Sequence, residues 1–206
     1  MPAFFKYLAI FKYLAISCLL LLISACSSQP SLPTTTQTLE PNAQLWHWQA
    51  QGRIAFANEK NNHSANLDWL QIGYSYQLQI LGPLGQGSAR LEGEPFKVIL
   101  TTSDGKQLQA SSPEQLLAEN SDWELPLSNM VYWIRGIVAP GNYQKIDKQT
   151  FIQNGWKVEW RRFAQVDNYQ LPSLLIAEKG QISFRLAINK WQLFPAPTFP
   201  VPKQGL

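Results

Sequence analysis

Apolar and polar positions alternate with a period of two along much of the chain after Ala50. In "YSYQLQILG", Tyr74, Tyr76, Leu78 and Ile80 alternate with Ser75, Gln77 and Gln79, and in "SARLEGE" Ala89 and Leu91 oppose Ser88, Arg90 and Glu92. Further on, "WKVEWRRF" sets Trp156, Val158 and Trp160 against Lys157, Glu159 and Arg161, and "QISFRLAI" alternates through Ile182, Phe184, Leu186 and Ile188. Successive side chains of a strand point to opposite faces, so each stretch predicts a strand with one apolar and one wet face. "PSLLIAE" is apolar on both faces, and "FKVILTT" and "KQLQAS" are joined by Ser103-Asp104-Gly105, a hairpin signal. Strands this close in sequence pair antiparallel, because parallel pairing needs a longer crossover.

Two helices interrupt the strands. Ser112-Pro113-Glu114-Gln115 reads as an N-cap, a proline at the first helical position and a capping-box glutamine, with the helix ending near Asn120. A second helix is expected from about Ser128, where Leu127, Met130, Val131, Ile134 and Val138 form a helical stripe that Gly136 and Pro140 bring to an end. Asn42 to Gln49 predicts a further short helix with Trp46 on one face. A sheet with one apolar face must cover that face or close on itself. So few helices cannot cover about nine or more strands in simple layers, and the pattern predicts a curved or barrel-like sheet with helices over its opening. After Trp191, "QLFPAPTFPVPKQGL" carries four prolines between Pro195 and Pro202 and predicts an extended tail rather than a ladder strand.

The chain opens "MPAFFKYLAIFKYLAISCLLLLISACSSQPS". A basic start, an apolar run and then small residues are the pattern of a secretory signal. The hexamer FKYLAI occurs in tandem at 5–10 and 11–16, so Lys12 interrupts the apolar stretch and leaves Tyr13–Ile23 as its core. That run is about half of the ~20 residues a bilayer span requires, which favours a cleaved leader over a span. Ile23-Ser24-Ala25-Cys26 resembles the bacterial lipobox, whose cysteine is diacylated on sulfur, exposed by cleavage and then N-acylated with palmitate-class chains. A plain secretory signal with an incidental cysteine is the alternative, but basic start, apolar core and lipobox agree with one another. Burial contributes about 0.8 kcal/mol per CH₂ and one chain holds only marginally, so a triacylated Cys26 would anchor the protein by itself. Ser27 stands where aspartate commonly marks retention at the inner membrane, so the expected location is the outer membrane, facing the periplasm. Residues 27–41, "SSQPSLPTTTQTLEP", are Ser/Thr/Pro-rich without periodicity and read as a flexible tether. The expected organisation is a leader at 1–25, an acylated tether at 26–41, one β domain at 42–193 and a Pro-rich tail at 194–206.

The sequence holds 17 Lys+Arg and 14 Asp+Glu, and with Lys6 and Lys12 both in the leader the remainder is nearly neutral. Arg161-Arg162 is the densest basic cluster, and without a basic stripe nucleic acid is not an expected partner. Cys18 belongs to the leader and Cys26 to the anchor, which leaves no pair for a disulfide, so stability must come from packing. His47, in the expected first helix, and His63, in a turn, have no cysteine or second histidine at ligand spacing; no metal or cofactor is expected. No G-x-S-x-G elbow is present, although sequence order alone does not decide against Ser-His-Asp catalysis. Glu92 and Glu94 share a strand parity, as paired carboxylates would, but Glu94 precedes Pro95 in a turn and solvated charge accounts for both. No enzyme emerges from these residues.

The glycines of "GPLGQG" lead into the alternating "SARLEG" and not into a helix, so this is a hairpin loop and not a phosphate cradle. Gly82-Pro83-Leu84-Gly85 fits a type I turn with Leu84 at the third position, where Gly, Asn, Asp or Ser is usual. Leu84 either projects into water, with Gly85 and Gly87 leaving it without bulky neighbours, or folds back onto the sheet.

The lipobox and tether, with "WQAQGRIAFA", "LQILGPLGQGSARLEG", "LPLSNMVYWIRG" and "LPSLLIAEKGQISFRLAINKW" in that order, resemble the LolB family of outer-membrane lipoprotein receptors, from about Leu45 to Trp191. Pro83-Leu84-Gly85 stands at that family's Pro-Leu-Gly loop, with Gly82 where asparagine is common, and the Pro-rich tail has no counterpart. The resemblance implies a mainly β, LolA/LolB-like fold, an unclosed antiparallel barrel of about 11 strands whose helices cap an apolar cavity. It further implies a monomeric receptor, not an enzyme, that accepts acylated lipoproteins from a LolA-like periplasmic carrier. Such a receptor inserts its cargo into the inner leaflet of the outer membrane without nucleotide hydrolysis, and Leu84 would meet membrane phospholipid. Expected acyl-chain liners are Ile54, Phe56, Leu78, Ile80, Leu91, Val98, Leu100, Trp156, Val158, Trp160, Phe184 and Leu186, with Met130 and Ile134 from the helical lid. Many of these would equally pack a solid core. Two other readings stay open: a structural or assembly lipoprotein that binds cell wall or membrane proteins, and a lipid-anchored hydrolase.

Overall fold

The computed structural model describes residues 41–82, 87–120 and 124–195. Cys26 and the tether, the Pro83-Leu84-Gly85 corner and the tail beyond Pro195 lie outside the described residues. The strands are β1 (His47–Ala57), β2 (Asn62–Ile72), β3 (Ser75–Leu81), β4 (Ser88–Glu94), β5 (Lys97–Thr102), β6 (Gln107–Ala110), β7 (Tyr143–Lys145), β8 (Thr150–Gln153), β9 (Trp156–Val166), β10 (Tyr169–Lys179) and β11 (Ile182–Leu193). They form one 11-stranded sheet in the order β6-β5-β4-β3-β2-β1-β11-β10-β9-β8-β7, with antiparallel neighbours throughout. The chain therefore enters the sheet at its middle, runs out to one edge, crosses to the other edge and returns to the middle. The crossing is made by α1 (Pro113–Asn120) and α2 (Leu127–Trp133). This is the mainly β, unclosed architecture expected from the sequence.

Register makes the apolar face continuous. Leu108, Leu100, Leu91, Leu78, Trp69, Ala50 and Trp191 stand directly opposite one another across successive strands. A second row runs Ala65, Ile54, Leu186, Leu175 and Trp160. Cross-strand pairs of this kind stabilise a sheet by roughly 0.2–1 kcal/mol each, and both rows look inward onto one core. The edges are short: β6 has 4 residues and β7 has 3, which leaves little exposed ladder to recruit another strand.

Several local expectations are corrected. Only Pro41–Gln44 forms a helical turn, a 3-10 turn, while His47 to Gln49 already belong to β1, where their backbones pair with β2. His63 is not in a turn but in β2, opposite Phe56. Strands β2, β7 and β8 had no expectation: "NHSANLDWLQI" mixes polar residues into its inward parity, and the other two are too short to show a period. Helix α2 ends at Trp133, before Val138, because Gly136 takes a φ of +79° and turns the chain. Ser112 caps α1 through Gln115 N–H, but the reciprocal capping-box bond is absent: the Gln115 side chain accepts from Ser111 Oγ and donates to Glu119 instead.

Gly52 is the residue on which the central seam turns. The β1–β11 register shifts between Gln51 and Gly52, and a Cβ on Gly52 would sit 2.0 Å from the Ala187 carbonyl oxygen and 2.9 Å from Ile188 Cα. Backbone, not a flexible side chain, occupies that space, so any larger residue forces the two strands apart. Gly52→Ala is expected to lower unfolding stability by about 1–3 kcal/mol, the range for overpacking, with Ala55→Gly as an exposed β1 comparison. Urea unfolding followed by tryptophan emission measures it; an unchanged midpoint would mean the seam opens without cost.

Candidate functional site

The interior enclosed by the sheet and the two helices is the candidate site. Of the fourteen expected liners, Ile54, Phe56, Leu78, Leu91, Val98, Met130, Ile134, Trp156, Val158, Trp160, Phe184 and Leu186 are buried, while Ile80 and Leu100 are half-buried against the same core. They come together from six strands and the α2 segment. Most pack against one another: Trp156 and Phe184 rings lie 5.3 Å apart, and Phe151 and Trp160 rings 4.9 Å apart. Val98 and Trp156 border the two cavities beside the helices, and Phe56 and Phe184 border a third where β1, β2, β10 and β11 meet.

Helix α1 buries Pro113 and Leu116, and α2 buries Leu127, Met130 and Trp133, each turning its apolar side to the sheet. The far end of α2 is tied down by buried polar contacts. Trp133 Nε1 donates to Gln153 Oε1 at 2.9 Å, Ala139 N–H donates to the same oxygen at 3.1 Å, and Gln153 Nε2 donates to the Ala139 carbonyl at 2.7 Å. Trp160 Nε1 closes the set by donating to the Trp133 carbonyl at 2.8 Å. The near end is held by exposed groups. Glu114 on α1 accepts from Ser128 N–H and Oγ at 2.7 and 2.9 Å, which caps α2 from outside because Pro126 offers no side-chain cap. Lys179 reaches Glu124 at 2.5 Å.

Two cavities flank the helices. One, of about 740 Å³, lies between the α1–α2 connection and the turns before β9 and after β10, and is lined by Glu114, Leu125, Asn129, Trp156 and Lys179. The other, of about 290 Å³, opens where β1 begins and is walled by Trp46, Trp69, Tyr74, Tyr76, Phe96, Val131 and Tyr132. Tyr74 and Phe96 stand at its rim, 75 % and 90 % exposed. Gly93 lies directly opposite Tyr76 and leaves room for its ring; a Cβ there would lie 2.1 Å from the ring. The Tyr76 hydroxyl is buried without a hydrogen-bond partner among the described residues, and burial pushes its pKa well above the usual phenol value.

Beneath this aromatic mouth sits Arg135, fully buried. Its guanidinium lies 4.1 Å from the Trp46 ring centroid and 5.0 Å from that of Tyr132. Nε donates to the Val131 carbonyl at 2.8 Å and one terminal nitrogen to the Leu45 carbonyl at 3.0 Å. No carboxylate pairs with it among the described residues; two π faces and backbone carbonyls stand in for one. Desolvation lowers its pKa to about 10, which still leaves it charged near neutrality. Arg135 thus pins the entry segment at Leu45 to the end of α2.

The aromatic mouth was not anticipated. The sequence pattern places Trp46 in a helix and Tyr74 on a strand face, whereas Trp46 lies just before β1 and Tyr74 in the turn between β2 and β3. Two signals were present in the sequence: Phe96 following Pro95 in a short turn, and a lone arginine closing the apolar run "YWIRG". Glu92 and Glu94 lie exposed on the outer parity of β4, and His47 and His63 fall at opposite ends of the β1–β2 pair. Among the described residues no three His, Cys, Asp or Glu side chains could hold a metal ion. At the other end of the sheet, Gly82 N–H donates to the Gly87 carbonyl at 2.9 Å, closing the base of the hairpin that carries Leu84.

A family model described as Outer membrane lipoprotein LolB matches residues 46–191. The outer-membrane lipoprotein LolB of Alkalilimnicola ehrlichii is 35% identical over 187 residues, covering 85% of this chain and 94% of that protein. The protein of the same description from Chromohalobacter salexigens is 32% identical over 188 residues, covering 85% of this chain and 87% of its own. Among solved structures, a LolA superfamily protein from Nitrosomonas europaea aligns with a TM-score of 0.48 at 12% identity, over 75% of this chain and 89% of that one. The matched span begins one residue before β1 and ends within β11, so it takes in the whole crossing and both cavities, and the chain belongs to the outer membrane lipoprotein LolB family.

Proposed function

We propose that this chain accepts acylated lipoproteins from a LolA-like periplasmic carrier into its apolar interior and places them in the inner leaflet of the outer membrane, without nucleotide hydrolysis. Membership of the LolB family over residues 46–191 is the observation that supports the reading most. The physical case is that acyl chains cannot pass through water, so some apolar surface must replace membrane at each step. The concave face and the inner sides of α1 and α2 offer such a surface. Transfer then needs only a difference in affinity, and each tenfold preference over the carrier corresponds to about 1.4 kcal/mol. In this reading Cys26 carries the lipid that holds the receptor at its destination, and the protein works as a monomer.

Two experiments test it. In the first, a chain beginning at Ser27, which keeps every described element, is mixed with a lipoprotein-loaded carrier in the absence of ATP. Cargo is expected to move onto this chain; cargo that stays on an active carrier would favour a structural lipoprotein instead. The second concerns the Pro83-Leu84-Gly85 corner, which lies outside the described residues. Burying a leucine contributes about 1.5–3 kcal/mol, enough to orient a loop on lipid and too little to anchor a protein. Leu84→Glu is therefore expected to slow incorporation of cargo into liposomes by about tenfold or more while leaving receipt from the carrier unchanged. Normal incorporation by that variant would remove Leu84 from the mechanism.

A further inference from the structure

We propose that the Pro-rich tail of this chain docks in its own aromatic mouth, with Phe199 and the surrounding prolines laid against Trp46, Tyr74 and Phe96. The place where the described chain ends carries the argument. Phe194 N–H donates to the His47 carbonyl at 3.0 Å, so the chain leaves the sheet beside β1, one residue from Trp46, which walls the cavity. The sequence continues as "APTFPVPKQGL", which at about 3.1 Å per residue in an extended polyproline conformation can span roughly 30 Å, more than this mouth needs.

The chemistry of the cavity fits that occupant. Polyproline segments lodge in grooves walled by aromatic rings, where their pre-set backbone loses little entropy on binding. Such a helix has three residues per turn and no internal hydrogen bonds, so its carbonyls stay free. Pro197 and Pro200 then share one side, Phe199 and Pro202 another. At the rim, Phe96 holds a left-handed φ of +64° while 90 % exposed, an arrangement that costs backbone strain with no burial of its own ring to offset it. Tail contact would provide that burial. Charge agrees too: Lys203 is the one charged side chain in the tail, and Glu94, on the cavity wall, has no ion-pair partner among the described residues.

The docking stands apart from the receptor reading; only its consequence rests on it, namely that cargo entering by this mouth displaces the tail. The test uses amide and indole NMR spectra of the chain beginning at Ser27, compared with the same chain ended after Pro195. Ending the chain is expected to shift the indole N–H signals of Trp46 and Trp69 and the amides near Tyr76 and Phe96, and a synthetic peptide of residues 195–206 at saturation to restore them. Phe199→Ser in the full tail should mimic the truncation, and Tyr74→Ser with Phe96→Ser, both at exposed positions, should abolish the response to the peptide. Superimposable spectra, or shifts away from the cavity, overturn the proposal. Shifts that grow with protein concentration would assign the tail to a second copy and overturn it as well. A cavity that responds to added palmitate and not to the tail would belong to acyl chains alone. A tail that docks in a chain unable to receive cargo would keep this inference and remove the receptor reading.

Discussion

Trp48, Ile54, Phe56, Val158, Phe184 and Leu186 share the concave face of one sheet, and each is at most 1 % exposed. Leaving such a face in water would cost roughly 25 cal/mol for every Å² of apolar surface, a penalty that grows with each strand added. The chain has two ways to hide it, curvature and cover, and uses both. Curvature depends on the β1–β11 seam at the middle of the sheet, where the shift at Gly52 lets two backbones approach more closely than any Cβ would permit. Cover comes from α1 and α2, which lie in the crossing between the two edge strands. The helices therefore fill the opening that further strand pairing would otherwise have to close.

Hiding an apolar face with a crossing segment creates a second requirement, because helix ends and turns bring polar groups inside. Gln153, Gln71 and Arg135 meet it largely through nearby groups, while Trp48 Nε1, the Tyr76 hydroxyl and one terminal nitrogen of Arg135 have no partner among the described residues. From β8, Gln153 makes three bonds, one to Trp133 on α2 and two to the Ala139 backbone in the following loop, and Gln71 accepts from Trp69 and donates to the Gly73 carbonyl. Arg135 is the extreme case, since a buried cation is costly unless it is neutralised or hydrogen-bonded. Two aromatic faces and the carbonyls of Val131 and Leu45 reduce that cost, and the same contacts fix where the chain enters the sheet. Removing Trp46 would therefore disturb the entry segment, the end of α2 and the aromatic cavity together.

How far the sequence discloses this depends on the range of the interactions. Period-two alternation marked β3, β4, β9 and β11, because an inward and an outward face leave a local signature at Leu78, Leu91, Val158 and Leu186. β2 was hidden: His63 and Gln71 put polar side chains on its inward parity, Leu70 and Ile72 put apolar ones on the other, and its inward residues Leu67 and Trp69 are identified by partners in β1 and β3 rather than by neighbours in sequence. The interior was legible as a set of apolar side chains, but not the division between packed wall and open volume, since that depends on how α1 and α2 seat. The aromatic mouth left only two isolated signals, Phe96 after Pro95 and the arginine that closes "YWIRG". Trp46, Tyr76, Phe96 and Tyr132 are widely separated in sequence and meet because the segment before β1, the start of β3, the β4–β5 turn and α2 converge at one end of the sheet.

That meeting leaves the helical pair held very differently at its two ends. The Glu114–Ser128 hydrogen bonds and the Glu124–Lys179 ion pair are exposed to competing water, and an exposed ion pair contributes between nothing and about 1 kcal/mol. The Trp133–Gln153–Ala139 set and the Arg135 cage are buried, where low dielectric strengthens each bond and leaving one partner unpaired is expensive. A filled interior admits a large apolar guest only if something moves. The end held by the weaker contacts is the one that borders the larger cavity at Trp156. Displacement of the α1–α2 connection about a fixed point near Arg135 would join that volume to the core around Trp160 and Phe184 while the aromatic mouth kept its shape. In the proposed receptor the first cavity would then enlarge to seat the guest, while the second kept its form beside the fixed end of the helices, open to the tail or to a chain passing through it.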